Sequence, residues 1–207
     1  MYNMRKYILR ILVMLFVFLS TSFANSAEET RITLRSSCMD LTSLQVQSIE
    51  NIYIRGSIYS EGDVWMGFYG HSTIQHEYEV KSIGNDKVVI DHATGLMWHQ
   101  SGTKKWMKWK AANKWVQVLN KKGYAGYNDW RLPTVDEAVS LLEPSKKNSW
   151  IYIDCVFNNK QIYIWTADTK DGYRGGTWLV GFNRGCVNSY SLFINDINFV
   201  RPVRALR

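Results

Sequence analysis

Residues 129–134, Asp-Trp-Arg-Leu-Pro-Thr, force the backbone to change geometry within six residues. The ring of Pro133 crowds its predecessor and drives Leu132 out of helical geometry into an extended conformation. Thr134, with Glu137 three residues on, forms a capping box, so a helix starts there. Ala138, Leu141 and Leu142 supply its apolar stripe, and Pro144 stops it. Trp130 and Leu132 then face a core, while Arg131 on the other side has five donors for carbonyls or a carboxylate. Trp130, Arg131, Pro133, Thr134 and Glu137 are predicted to hold the fold and to touch no ligand.

Around this latch the chain alternates short strands with one long helix. "YEVKSIGNDKVVIDHATGLMWHQ" (78–100) reads as two strands around Gly84-Asn85-Asp86, a turn at Ala93-Thr94-Gly95 and a third strand through Trp98. From Trp109, apolar or small residues at 109, 112, 115, 116 and 119 share one helical face, and Gly123 suits a left-handed cap. The other face carries Lys108, Lys110, Lys114, Lys121 and Lys122, after Lys104 and Lys105, and reads first as solvated and second as a surface for anionic polymer. "IYIW" (162–165), "TWLVGF" (177–182) and "FVRPVRAL" (199–206) are predicted strands, the last at an edge because of Pro202. In the second, Trp178, Val180 and Phe182 share a face, with Leu179 and Gly181 opposite. Tryptophans at 98, 106, 109, 115, 130, 150, 165 and 178 are assigned to the core, where large rings replace missing regular structure. Residues 28–77 show only Thr42-x-x-Gln45 capping a short helix, then a Gly-rich aromatic stretch without a clear period.

The N-terminus carries Arg5, Lys6 and Arg10, an apolar run Ile11–Leu19, and small residues to Ala24, the order of a secretory signal peptide. Nine apolar residues fall short of the roughly 20 that span a bilayer. The organisation expected is a signal peptide over 1–24, an N-terminal extension over 25–77 and a domain over 78–207. Export would place the protein in the periplasm, outside the cell or on its surface. Cleavage leaves 22 basic and 18 acidic side chains, a net +4. Nucleic acid is not an expected partner, and the membrane is met only through the signal. In an oxidising compartment Cys155 and Cys186 form a possible disulfide, with Cys38 left over.

Six motifs in order, "VVIDHATGLMWHQ", Trp109-x-x-Ala112, "GYAGYNDWRLPTVDEAVSLLE", "YIWTAD", "TWLVGFNRG" and "VRPVRALR", resemble the Lcl C-terminal domain family over about residues 78–206. That family takes its name from a bacterial collagen-like adhesin. The resemblance implies an α+β, C-type-lectin-like fold: two helices packed on small twisted antiparallel sheets with long loops. It also implies a secreted or surface-attached module without general enzymatic activity.

The residues agree on catalysis. His71-x4-His76 lacks the spacing and acid of a zinc helix, and neither a nucleophile elbow nor a phosphate loop is present. Asp129, Asp154, Asp168 and Asp171 match no calcium loop. No cofactor, metal or catalytic residue is predicted. The expected function is binding of an extracellular glycan, anionic polymer or protein; a structural subunit of the cell envelope is the alternative.

The tail has its own composition. Leu179–Arg207 contains no Lys, Glu, Gln, Met or Trp, whereas 40 of the 154 residues from Asn25 to Trp178 are of these types. Its middle is built from residues reachable by adenine changes in an Asn codon, and lectin-like domains resembling this one include targets of diversity-generating retroelements. Asn183, Arg184, Asn188, Ser189, Tyr190, Ser191, Phe193, Asn195, Asp196 and Asn198 are therefore the predicted ligand-binding surface, since Tyr, Ser and Asn suit adaptable recognition. N-terminal sequencing of the exported protein should begin at Asn25 or Glu28; an intact Met1 on cytoplasmic protein would refute the signal assignment.

Overall fold

A computed structural model describes residues 31–59, 66–147, 150–171, 176–190 and 196–206. Predicted residues Tyr190 (its side chain), Ser191, Phe193 and Asn195, and the signal segment, lie outside what is described. In chain order the elements are β1 (Asp40–Leu41), α1 (Ser43–Gln47), β2 (Ile52–Tyr59), β3 (Met66–Ser72), β4 (Tyr78–Ile83), β5 (Asp86–Asp91) and β6 (Leu96–His99). Then follow α2 (Trp109–Lys122), a 3-10 turn (Tyr124–Gly126), α3 (Val135–Ser140), β7 (Tyr163–Lys170), β8 (Thr177–Gly181), β9 (Cys186–Tyr190) and β10 (Val203–Ala205). The fold is mixed α and β, with few helices and two sheets.

The larger sheet has the order β1-β7-β8-β9-β3-β2, and the smaller β10-β6-β5-β4. All pairings are antiparallel except β1 with β7. Residues 40–72 therefore share a sheet with residues 163–190, and β3 lies directly against β9. Strands β2 and β3 were not legible in the sequence. A bulge between Ile54 and Gly56 inverts the alternation of "IYIRGSIY", so Ile52 and Ile54 pack on one core while Ile58 faces the other side.

Each sheet separates two apolar clusters. Trp178, Val180 and Phe182 of the β8 stretch join Phe68, Ile164 and Val187 against Val135, Ala138 and Val139 of α3. Leu179 and Trp165 point the other way, onto Ala112, Val116 and Leu119 of α2, together with Trp130 and Leu132. The alternation predicted for "TWLVGF" is the one observed. Trp98, Trp130, Trp165 and Trp178 are buried, and Trp109 and Trp115 are half-buried. Trp106 and Trp150 correct the expectation: they are 57% and 41% exposed, because neither lies on a strand or helix face turned to a core.

The extended piece and the capped helix start form as predicted, but α3 ends at Ser140, before Leu141, Leu142 and Pro144. Thr134 accepts from the Glu137 backbone N–H, and the Glu137 side chain accepts from the Thr134 N–H, completing the box. Arg131 donates twice to Glu137, at 2.6 Å each, and once to the Leu132 carbonyl. Asn120 of α2 grips Trp130 through both its N–H and its carbonyl, and the Trp130 indole donates to the Tyr124 carbonyl. Pro133 accepts from Ala167 of β7. Gly123 adopts the left-handed cap at φ 66°. Tryptophan indoles also staple the elements: Trp109 donates to Thr166 and Trp165 to Met107.

Glu137 is fully buried, so losing its cation leaves an uncompensated charge. Arg131→Ala should cost about 3–5 kcal/mol. Arg131→Met with Glu137→Gln, which keeps the cap acceptor, should cost less than Arg131→Ala alone. Equal denaturation midpoints for the two variants would contradict this account.

Candidate functional site

The candidate surfaces are three, and each is built by a different part of the fold. The first is basic. Residues 92–128 contain seven lysines and no Asp or Glu. Because Ala112, Val116 and Leu119 of α2 turn inward, Lys110, Lys114, Lys121 and Lys122 are left outside, and Lys104, Lys105 and Lys108 precede the helix, also exposed. Among the described residues, no ion pair reaches Lys104, Lys105, Lys110, Lys114, Lys121 or Lys122. Trp106 stands among them, its ring stacked on Phe199 at 5.4 Å between centroids.

The second is the predicted ligand-binding stretch, which the fold divides. Ser189 is buried on the β9 face shared with Val187, in register with Trp178, and is removed from any solvent surface. Asn188 is also buried, on the opposite face, at 3% exposure. Asn183 (half-buried) and Arg184 (exposed) sit in the β8–β9 turn. Asp196 and Asn198 are half-buried elsewhere: Asn198 pairs with Met107, next to Trp106. A single ten-residue face is therefore not formed. The Asp196 carboxyl is raised from its ordinary range by burial.

Sequence reasoning missed the tyrosines beside Asn183 and Arg184. Register places Tyr69, Cys186, Gly181 and Tyr163 in one row across β3, β9, β8 and β7. Tyr163 lies close to Asn183, and burial raises its phenol. Tyr53 and His71 lie farther along the same face, their rings 5.2 Å apart. The signal was the alternation Tyr69/His71 in "MGFYGHS", hidden by its glycines.

The third is a cleft of about 250 Å³ between the N-terminal strap (residues 31–39), α1 with the turn after it, and the first turn of α3, lined among others by Arg35, Gln45, Glu50, Asn51 and Asp136. Arg35 there bonds both Asp136 and Asp168. Burial raises the Asp136 carboxyl, against the pull of Arg35.

The remaining candidates have structural posts. Asp129 pairs with Arg204, Asp154 caps the Val156 N–H, and the Asp171 backbone meets β1. His76 bridges Asp91 and the Ser140 carbonyl, far in the fold's topology from His71 on β3. Among the described residues, no three His, Cys, Asp or Glu converge as a metal site. No disulfide joins Cys155 to Cys186, because Cys155 is exposed and Cys186 is buried. Burial pushes the Cys186 thiol up to about 11, so it is protonated at neutral pH.

The model of the Lcl C-terminal domain matches residues 87–204, more than half of the chain. The chain belongs to the Lcl C-terminal domain family. The family is associated with a cell-surface adhesin, and the match spans the basic helix, the latch and the β7–β9 row. No curated protein and no solved structure matches the chain. Among the described residues, no helix is long and apolar enough to cross a membrane. Native iodoacetamide treatment of this Lcl-family chain at neutral pH should label Cys38 and Cys155. Cys186 should label only after denaturation, read by peptide mass mapping.

Proposed function

We propose that this protein is an exported, non-catalytic adhesin module with a C-type-lectin-like architecture, and that its α2 surface binds anionic polymer. The observation that carries the reading is the run of seven exposed lysines without one acid around an exposed tryptophan. A mixed surface would cancel its own field, whereas a single-sign patch raises the local potential and draws polyanions. Trp106, braced by Phe199, adds an apolar platform inside that field. The family's association with a surface adhesin supports placement outside the cytoplasm. Absence of a reactive thiolate at Cys186 supports binding over thiol chemistry.

Dextran sulfate is a suitable probe. The mature chain should bind it with an affinity that falls steeply between low and physiological salt, as screening requires. Replacing Lys104, Lys105, Lys110 and Lys114 together by Gln should weaken binding by about tenfold or more, which is roughly 1.4 kcal/mol per decade. The melting temperature should stay within the scatter of surface substitutions. Undiminished, salt-independent binding by the four-Gln variant would overturn the assignment.

A further inference from the structure

The lysine face has an apolar part that charge alone does not explain. Met107 and Asn198 exchange both backbone hydrogen bonds in an antiparallel bridge. The residues beside them therefore stand opposite one another, Trp106 against Phe199 and Lys108 against Ile197, on the face turned away from Met107. Phe199 is buried and braces one side of the Trp106 ring, which leaves the other side open at 57% exposure. Ile197, in register with Lys108, is 46% exposed. On α2, Val118 is 48% exposed and lies four residues from both Lys114 and Lys122, one turn away on either side.

The charges around these side chains are ordered as well. Lys110, Lys114 and Lys121 are spaced by four and seven residues, which keeps them in one stripe along the helix, opposite Ala112, Val116 and Leu119. Lys104 and Lys105 immediately precede Trp106 and are exposed. Asp196, half-buried beside Ile197, is an acid bordering this face, and burial raises its carboxyl. A water-soluble polyanion answers the lysines but leaves Trp106, Val118 and Ile197 in water. Apolar side chains rimmed by like charges call for a partner with an apolar phase behind an anionic surface.

We infer that this face docks peripherally on an anionic lipid bilayer, with Trp106 and Ile197 entering the headgroup layer and the lysines meeting lipid phosphates. The inference rests on the reading that the lysine face binds polyanions, and it names lipid as the partner. It adds a membrane contact of the folded domain to the one expected of the signal segment. Tryptophan suits the headgroup level, where an apolar ring with one polar N–H is best placed. Each lysine near an anionic bilayer strengthens binding about fivefold, so four of them account for several hundredfold. Charge supplies approach and the two apolar side chains supply retention, since neither signal alone holds a protein firmly at a membrane. The negative surface also favours the neutral form of Asp196, the same direction in which burial moves it.

The test is co-sedimentation of the mature chain with vesicles of phosphatidylglycerol and phosphatidylcholine in equal parts, and with vesicles of phosphatidylcholine alone. Dextran sulfate binding is measured beside it on the same variants. The natural chain should sediment with the mixed vesicles and not with the neutral ones. Trp106→Ala and Ile197→Ser should each weaken vesicle binding by about tenfold while changing dextran sulfate binding by about twofold at most. The four-Gln lysine variant should lose both. If the chain binds dextran sulfate but not the mixed vesicles, the lipid inference fails and the polyanion reading stands. If it binds neither, both fail. The inference also fails if Ile197→Ser and Trp106→Ala, with unchanged melting temperatures, sediment as the natural chain does, or if they lose dextran sulfate binding to the same extent. Should Trp106→Ala melt lower, Ile197→Ser alone decides.

Discussion

The carboxylate of Asp168 holds the fold's separate parts to one another. It is wholly buried and accepts four hydrogen bonds: two from Arg35, one from the Met39 N–H and one from the Val135 N–H. Those donors come from the N-terminal strap and from the first residue of α3, while Asp168 itself is on β7. The helix N-terminus favours a negative charge, and the guanidinium neutralises it, so the penalty of burying the ion is offset on two sides. Thr134, the α3 cap, also donates from its hydroxyl to the Arg35 carbonyl, which fixes the strap a second time. With α3 anchored, Glu137 is set to receive Arg131, and the Arg131 backbone pairs with Val203 of β10. One carboxylate thus positions a strap, a helix and, through the latch, the smaller sheet.

A second buried ion shows the opposite solution. Arg201 has no exposed surface and, among the described residues, no ion pair with a carboxylate. Carbonyl oxygens of Gln100 and Asn158, the Gln161 side chain and the Phe157 ring surround its guanidinium instead. Burial without an opposing charge lowers it to about 9. The same burial, with Arg201 nearby, lowers His99 to about 4, so His99 stays neutral and accepts from the Gly102 N–H. These groups consolidate the β6–β10 side of the molecule and leave the α2 surface free to carry charge.

What the sequence disclosed follows the range of each signal. The latch was legible because Pro133, Thr134 and Glu137 act within one helical turn, and local sterics and caps need no tertiary context. The β8 alternation and the Gly123 cap were legible for the same reason. Asp168 read as one scattered acid among several, because its partner Arg35 lies 133 residues away. The β2 and β3 strands were hidden by a bulge that breaks the period-two pattern and by glycines required for close strand approach. In the candidate sites, the lysine face was legible from spacing. The division of the C-terminal stretch was not, because burial of Ser189 and Asn188 depends on the α3-side and α2-side clusters that cover the two faces of β9.

The order β1-β7-β8-β9-β3-β2 has a consequence for how the chain reaches this state. Residues before 73 furnish both margins of the larger sheet, and residues after 162 furnish its middle. The β2–β3 hairpin can pair by itself, but neither margin meets the rest of its sheet until the middle exists, so the β1–β7 and β3–β9 ladders wait for the C-terminal part of the chain. Such wide sequence separations place the protein among slow folders, whose search is limited by loop closure more than by local propensity. Until those ladders close, β1 and the β9-facing edge of β3 have no partner in the sheet.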